Sequence, residues 1–235
     1  MSTSLPARLA ALEAEVVACT ACPRLVAWRT AVAARPRPAH DDETYWARPL
    51  PGFGDPDAWL VLVGLAPAAH GGNRTGRMFT GDRSGDFLFA ALHRARLASQ
   101  PESRGRDDGL ILSGAFVTAA VRCAPPDNRP LPEERRACAP FLAGELALLG
   151  RATVVLALGS IAYDELRRLG AAPTVGRAPR FAHGLELELG AAAPFRSGQH
   201  LLCSYHPSQR NVFTGLLTAA MLDGVLARAA DLRRP

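Results

Sequence analysis

Two segments of the sequence carry side chains that could do chemistry on a substrate. Residues 64–82 form a glycine-rich stretch directly after an apolar run, and residues 205–211 carry a histidine followed by several polar side chains. Small residues let backbone amides approach a ligand, and open α/β sheets bind substrates at the carboxyl ends of their strands. We therefore expect the two segments to converge on one rim of a sheet.

Four of the five cysteines form two pairs that are far apart in the chain. Cys19 and Cys22 follow a Cys-x-x-Cys spacing, and Cys123 and Cys138 are separated by fourteen residues. Four thiolates suit either a 4Fe-4S cluster or tetrahedral zinc, and the alternative is unpaired core cysteines. An electron carrier gathers its ligands in a tight run, so this spacing indicates a structural staple. Cys203 lies in an apolar strand, where we expect ordinary core packing.

The basic residues of this chain are all arginines. Lys plus Arg outnumber Asp plus Glu by 27 to 22, which gives a net charge of +5 and is compatible with a polyanionic partner. The absence of lysine excludes a Gly-x-x-x-x-Gly-Lys phosphate loop and any side-chain lysine imine. Because no apolar run approaches the length of a membrane span and no signal segment is evident, we expect a cytoplasmic protein.

The elements that must position these residues alternate between strands and helices. Apolar runs predict buried strands at 59–64, 116–121, 153–158 and 201–205. Helical spacing predicts helices over 5–19, from 82–86 to about 95, over 132–149, before Gly170 and over 212–228. Residues 35–57 are predicted to be a loop, and 181–189 an antiparallel excursion or hairpin. The alternation predicts one α/β domain over residues 1–235, with a doubly wound, mainly parallel sheet and helices on both faces.

Taken together, the motifs resemble the iron-sulfur uracil-DNA glycosylases. The first loop Gly-Leu-Ala-Pro-Ala-Ala-His-Gly-Gly-Asn-Arg-Thr-Gly-Arg, the run Arg-Cys-Ala-Pro-Pro-Asp-Asn-Arg-Pro at 122–130, the four cysteines and His-Pro-Ser at 206–208 occur in that family's order. Leu65 replaces the glutamate of the type-a enzymes, and Ala119 stands where they carry an asparagine. The sequence is therefore more similar to type b, family five of the superfamily, whose members accept uracil and other deaminated bases such as hypoxanthine.

This resemblance implies a DNA-repair hydrolase that cleaves the N-glycosidic bond of uracil in DNA and leaves an abasic site. It also implies a 4Fe-4S cluster, with zinc as the alternative, bound by Cys19, Cys22, Cys123 and Cys138. We expect a monomer whose partner is DNA containing deaminated bases. The alternatives from other classes are a non-catalytic iron-sulfur DNA sensor and a zinc-stapled nucleic-acid-binding protein.

Glycosidic cleavage places positive charge on the sugar and negative charge on the departing base, so the site needs to stabilise the leaving group. His206 fits that need as a hydrogen-bond donor, unless it caps the following helix. Asp82 is the candidate for orienting water or stabilising the sugar cation, and it is equally suited to be a helix N-cap. Asn128 is the candidate that replaces the missing asparagine, although it also suits a turn.

The remaining candidates contact the base and the DNA backbone. We expect Phe79 to stack on a flipped base, although a phenylalanine there also suits the core. Further substrate contacts are predicted at Gly64, Ala66 and Asn73. The loop predicted to enter the minor groove contains Ser208, Gln209, Arg210 and Asn211. The side chains predicted to contact phosphates, or else to be ordinary surface arginines, are Arg74, Arg77 and Arg210.

Overall fold

The computed structural model describes residues 4–233 of the chain. Its strands are β1 (Phe53–Gly54), β2 (Leu60–Gly64), β3 (Ala115–Ala119), β4 (Val154–Leu158), β5 (Glu186–Glu188) and β6 (His200–Ser204). Its helices are α1 (Leu5–Ala18), α2 (Pro23–Ala34), α3 (Gly72–Thr75), α4 (Arg83–Arg94), α5 (Pro132–Leu148), α6 (Ser160–Arg168), α7 (Gln209–Phe213) and α8 (Ala219–Leu232).

The strands form one six-stranded sheet in the order β1-β3-β2-β4-β6-β5. The four central strands are parallel, whereas β1 and β5 pair antiparallel at the two edges. Every residue of β2, β3 and β4 is buried, as expected for strands covered on both faces. The chain moves from β2 to one side in β3 and to the other side in β4, which opens a crevice beyond the carboxyl end of β2.

Helices cover both faces of the sheet, as the sequence predicted. One face packs against α4 and α8 through a core that includes Leu88, Leu92 and Leu222. The other packs against α5 and α6 through a core that includes Leu142, Leu146 and Leu166. The prediction of a mainly parallel α/β fold is confirmed, and Cys203 is buried in the second core.

Three local predictions differ from the structure. Neither α2 nor the short α3 was predicted, and the predicted loop over residues 35–57 contributes the edge strand β1. The single helix predicted over 212–228 is wrong, because the chain forms α7 and α8 with a break between them. Gly215 has a φ of 73° in this break, a left-handed conformation that ends α7. Thr218 then starts α8 by accepting a hydrogen bond from the Met221 N–H.

Among the described residues, no helix is both long and apolar enough to span a membrane.

Candidate active site

A cavity of about 440 Å³ opens beyond the carboxyl ends of the parallel strands. It is lined by segments that follow β2, β3 and β6, together with the start of α4. The residues that line it are Leu65, Ala66, Ala68, Met78, Phe79, Asp82, Arg83, Ser84, Asn128, His206, Ser208, Gln209 and Arg210. The predicted convergence of the two loops is thus observed, and a site of this size suits a single base.

His206 lies on the cavity wall just after β6. The Asn211 side-chain amide donates a hydrogen bond to the His206 carbonyl at 2.9 Å, and a Cβ on Gly159 would lie 3.1 Å from the His206 Cβ. Neither ring nitrogen has a protein hydrogen bond within residues 4–233. Desolvation by burial lowers the pKa of His206 to about 4, so the imidazole is neutral at physiological pH. The backbone is therefore fixed while both ring nitrogens remain available.

Phe79 packs beside His206 with the ring centroids 5.8 Å apart and the planes inclined by 30°. Its φ of 52° is unusual for a residue other than glycine. A Cβ on Gly64 would lie 2.7 Å from the Phe79 ring, so the absence of a side chain at the end of β2 makes room for this ring. Gly64 does not line the cavity itself, and its effect on a substrate would pass through Phe79.

Asp82 performs the structural role considered for it and still reaches the cavity. Its Oδ1 accepts a hydrogen bond from the Gly85 N–H at 3.0 Å and so caps α4. Its Oδ2 packs against the Gly71 backbone, because a Cβ on Gly71 would lie 2.3 Å from that oxygen. Burial raises the pKa of Asp82, while the hydrogen bonds from the Gly85 and Ser84 N–H groups oppose this effect. Asp82 thus lines the cavity with one oxygen capping α4 and the other beside Gly71.

Asn128 approaches the same cavity from the loop after β3. It lies at the end of a 3-10 turn over Pro126–Asn128 and has a φ of 54°. Asparagine tolerates this left-handed conformation better than most residues do. The side chain is exposed, so a base in the cavity would find its amide accessible.

The predicted DNA-contacting loop forms part of the cavity rim. Gln209 and Arg210 are exposed there, whereas Ser208 is the N-cap of α7 and accepts a hydrogen bond from the Asn211 N–H. Asn211 instead faces the His206 carbonyl. The loop thus presents Gln209 and Arg210 outward and uses Ser208 and Asn211 to hold its own shape.

Besides Gly64 and Asn211, three further residues predicted to contact the base or the DNA do not line the cavity. Asn73 is fully buried, and its amide donates to the carbonyl oxygens of Arg29 and Ala69. Arg77 is only 6% exposed and forms an ion pair with Asp108 at 2.5 Å. These positions favour structural contacts over contacts with base or phosphate. Arg74 likewise donates hydrogen bonds within the chain, to the carbonyl oxygens of His70 and Gly81.

The Arg77 ion pair affects its carboxylate partner strongly. Burial alone would raise the pKa of Asp108, but the Arg77 guanidinium and three backbone N–H groups lower it to about 2. Arg77 also donates to the hydroxyl oxygens of Ser103 and Thr80. Its donors therefore stabilise the segment between α4 and β3.

The four cysteines predicted to bind a metal surround one small buried cavity next to α2. Cys19 and Cys22 approach it from the α1–α2 connection, Cys123 from the loop after β3, and Cys138 from α5. Burial raises the pKa of Cys123 to about 12 and also raises the pKa of Cys138. Within residues 4–233, no group of three or more His, Cys, Asp or Glu side chains is arranged to hold a metal ion.

Arg29 lies in this cysteine pocket and is 5% exposed. Its Nη1 donates to Cys123 Sγ at 2.8 Å and its Nη2 to the Cys19 carbonyl at 3.5 Å. Among the described residues no carboxylate forms an ion pair with it, and its buried Nε has no partner. A buried guanidinium without a counter-charge is costly, so this pocket suits an anionic group.

Sequence reasoning did not identify several residues that shape the site. Leu65, Ala68, Met78, Arg83 and Ser84 line the cavity, and their closeness to the predicted residues along the chain was the only signal for them. A separate set holds the predicted residues in place and contains Gly71, Gly159 and Arg29. The sequence does not indicate the role of these glycines, because that role depends on which side chain packs against each of them.

Comparisons with known proteins identify the family of this chain. The model of the uracil DNA glycosylase superfamily matches residues 51–230. A type-5 uracil-DNA glycosylase of Thermus thermophilus is 53% identical over 217 residues, covering 92% of this chain and 94% of the relative. One of Mycobacterium bovis is 50% identical over 222 residues, covering 94% and 80%. A type-4 enzyme of Thermotoga maritima is 32% identical over 114 residues, covering 48% and 51%.

Proposed function

This chain belongs to the uracil-DNA glycosylase superfamily, and from that premise we propose that it hydrolyses the N-glycosidic bond of uracil in DNA and leaves an abasic site. The observation that carries the proposal is the cavity that joins His206, Asp82, Asn128 and Phe79 beyond the parallel strands. Relatives that are about half identical over nearly the whole chain carry the name type-5 uracil-DNA glycosylase.

His206 supplies leaving-group stabilisation in this mechanism. As the bond to the sugar lengthens, negative charge collects on the carbonyl oxygens of the departing base. The neutral imidazole of His206 donates a hydrogen bond to one of these carbonyl oxygens. The His206 backbone is held by the hydrogen bond from the Asn211 side chain. A fixed donor in a partly desolvated site stabilises charge more than a solvent-exposed donor does.

Asp82 and Asn128 act on the sugar side of the bond. The Asp82 Oδ2 that does not cap α4 accepts a hydrogen bond from the attacking water or stabilises the developing sugar cation. Asn128 offers an amide to the same water or to the base from the opposite loop. The nucleophile is therefore water, since the chain contains no lysine that could form an imine.

The base must leave the duplex to enter this cavity. Phe79 provides the planar surface on which the extruded base stacks, and Ala66 lines the wall that it enters. Gln209 and Arg210 are the exposed rim residues that contact the DNA around the vacated position. The small residues at 66 and 68, in a site without a carboxylate at 65–70, leave space for deaminated purines such as hypoxanthine.

We further propose that Cys19, Cys22, Cys123 and Cys138 hold a 4Fe-4S cluster, because they surround one pocket that also contains the uncompensated Arg29. A cluster spreads its thiolate ligands over several irons, so it does not require them to converge on one ion. When bound, the cluster would connect the α1–α2 segment, the loop after β3 and α5, and would contribute to folding free energy. Zinc is the alternative occupant.

The test is incubation of the purified protein with duplexes that each contain one uracil, hypoxanthine or xanthine, followed by alkaline cleavage. The proposal predicts alkali-labile sites at uracil, and sites at hypoxanthine would support the broader substrate range. A matched duplex with thymine in place of uracil is the control. If uracil duplexes remain intact under conditions in which the protein binds them, a non-catalytic DNA-binding role replaces this proposal.

A further inference from the structure

The segment from Gly71 to Arg77 stood out in the sequence, yet none of its residues lines the cavity. Arg74 lies at its centre, in α3, with its side chain only 10% exposed. Its Nε donates to the His70 carbonyl at 2.8 Å, its Nη2 donates to the Gly81 carbonyl at 3.1 Å, and its Nη1 contacts the Glu43 carboxylate. The guanidinium thus connects three segments of chain.

Two of these segments form walls of the active-site cavity. His70 ends the loop that follows β2, and Gly81 immediately precedes Asp82. A Cβ on Gly81 would lie 2.4 Å from Arg74 Nη2, and the φ of Gly81 is 76°, so glycine is required for this approach. Thr75 adds a parallel connection, because its hydroxyl reaches the carbonyl oxygens of Gly71 and Thr80 at 3.2 Å.

Asp82 packs directly against the segment that Arg74 holds. The space where a Gly71 Cβ would lie is taken by the Asp82 Oδ2, 2.3 Å away. Gly71 is one residue from His70, whose carbonyl accepts from Arg74. The position of the Asp82 carboxylate therefore depends on two backbone segments. One is Gly81, which precedes Asp82 in the chain, and the other is Gly71, which packs against its Oδ2.

We propose that Arg74 is a positioning residue that fixes the Asp82 carboxylate at the cavity by joining the Gly81 backbone to the His70–Gly71 backbone. The inference rests on the proposed function, because it assigns Arg74 to the water-orienting part of that site. It replaces the contact with DNA phosphate that the sequence suggested. Glu43 forms an ion pair with the guanidinium, and the other donors of Arg74 are directed at backbone carbonyls.

The electrostatics of the site agree with this role. Burial raises the pKa of Asp82, and the nearby Asp86 carboxylate raises it as well, whereas the Arg74 charge lowers it. Arg83 and His206 line the same cavity, and the Gly85 and Ser84 N–H groups hydrogen-bond the carboxylate. Loss of the Arg74 charge should therefore move the acid limb of the rate profile to higher pH.

The experiment compares Arg74→Met with Arg210→Met on a uracil duplex and on a duplex containing a tetrahydrofuran abasic analogue. We expect Arg74→Met to lower the saturating single-turnover rate by about tenfold to a hundredfold, the scale of a small misplacement of a reacting group. The salt dependence of binding to the abasic duplex should not change. Arg210→Met should instead reduce the slope of log K against log salt by about 0.9, as for one lost phosphate contact.

A double-mutant cycle separates positioning from a general structural role. If Arg74 acts through Asp82, then Arg74→Met should cost less than about twofold in an Asp82→Asn background, because the two changes remove the same contribution. Equal losses in both backgrounds would overturn the proposal, and so would a reduced salt slope with an unchanged saturating rate. The surface variant Arg104→Met serves as the control, since Arg104 is 80% exposed.

Two further arms keep the result interpretable. If Arg74→Met fails to fold, Arg74→Lys is compared instead. The Arg74→Lys variant should also lose rate, because one ammonium cannot reach three separate acceptors. Wild-type protein without uracil release would refute the proposed function. An active wild type whose Arg74→Lys and Arg74→Met variants keep the full rate would refute the positioning role alone.

Discussion

At the scale of single residues, His206 shows how burial changes the character of a side chain. Burial lowers its pKa to about 4, so the imidazole is neutral at physiological pH and still has one N–H that can donate a hydrogen bond. Asn211 and Gly159 hold its backbone, and Phe79 packs against its ring. A donor fixed in this way can act on the leaving base with little reorganisation.

We predict that His206→Ala lowers the single-turnover rate on a uracil duplex by about a hundredfold to a thousandfold, as for the loss of one preorganised donor. Affinity for abasic-analogue DNA should change little, because the interaction is strongest in the transition state. Rapid-quench kinetics and fluorescence anisotropy measure the two quantities. The exposed His93 on α4 provides His93→Ala as the control. A variant that loses affinity in proportion to rate would contradict this role.

The pH dependence of the reaction should report the Asp82 carboxylate. Burial raises its pKa above the ordinary value of 3.8, and a protonated carboxyl accepts a hydrogen bond from water poorly. The rate should therefore fall as pH drops through this raised pKa. Single-turnover rates from about pH 4 to about pH 8 should show this acid limb in the wild type but not in Asp82→Asn. An unchanged limb in the variant would assign it to another group.

The residue assignments show what a sequence can and cannot indicate about a site. Phe79, Asp82, Asn128 and His206 all line the cavity because each follows a strand whose carboxyl end lies at the same rim. The inward direction of Arg74, Arg77 and Asn73 was not predictable, because the orientation of side chains on and around the four-residue α3 depends on distant partners.

At the scale of elements, α2 shows why an amphipathic pattern can be missed. Its buried residues are Leu25, Arg29 and Val32, which recur at helical spacing. A charged residue is normally assigned to the solvent side, so the buried face was not recognisable. The burial of Arg29 is explained only by the cysteine pocket, which no local pattern reveals. The break between α7 and α8 was similarly missed, although Gly215 and the capping residue Thr218 were signals for it.

The cysteine pocket connects three elements, so its loss should affect folding before chemistry. We predict that Cys138→Ala, prepared anaerobically, loses most of its iron and its visible absorption and becomes prone to aggregation. Cys203→Ala, a matched change of a buried cysteine outside the pocket, should keep about four irons per chain. Iron analysis and absorption spectra measure the outcome. Colourless wild-type protein with stoichiometric zinc would show that zinc, and not an iron-sulfur cluster, occupies the pocket.

At the scale of the whole molecule, the sheet, α3 and the cysteine pocket each position part of the chain around the cavity. The sheet brings the loops of β2, β3 and β6 to one rim. Arg74 of α3 hydrogen-bonds the backbone next to Asp82, and the segment around α2 lines the cysteine pocket together with α5. The superfamily match covers residues 51–230, while Cys19 and Cys22 lie before it and still share a pocket with Cys123 and Cys138. The net charge of +5 is compatible with a DNA partner.

The most direct test of the central claim follows the base and the DNA backbone in the same reaction. Mass spectrometry of a single-turnover reaction on a uracil duplex should show free uracil and an abasic strand of full length. Alkali should then cleave that strand, because hydrolysis without a lysine imine leaves the backbone intact. Strand cleavage without alkali, a borohydride-trapped covalent complex, or bound DNA that releases no uracil would contradict the account.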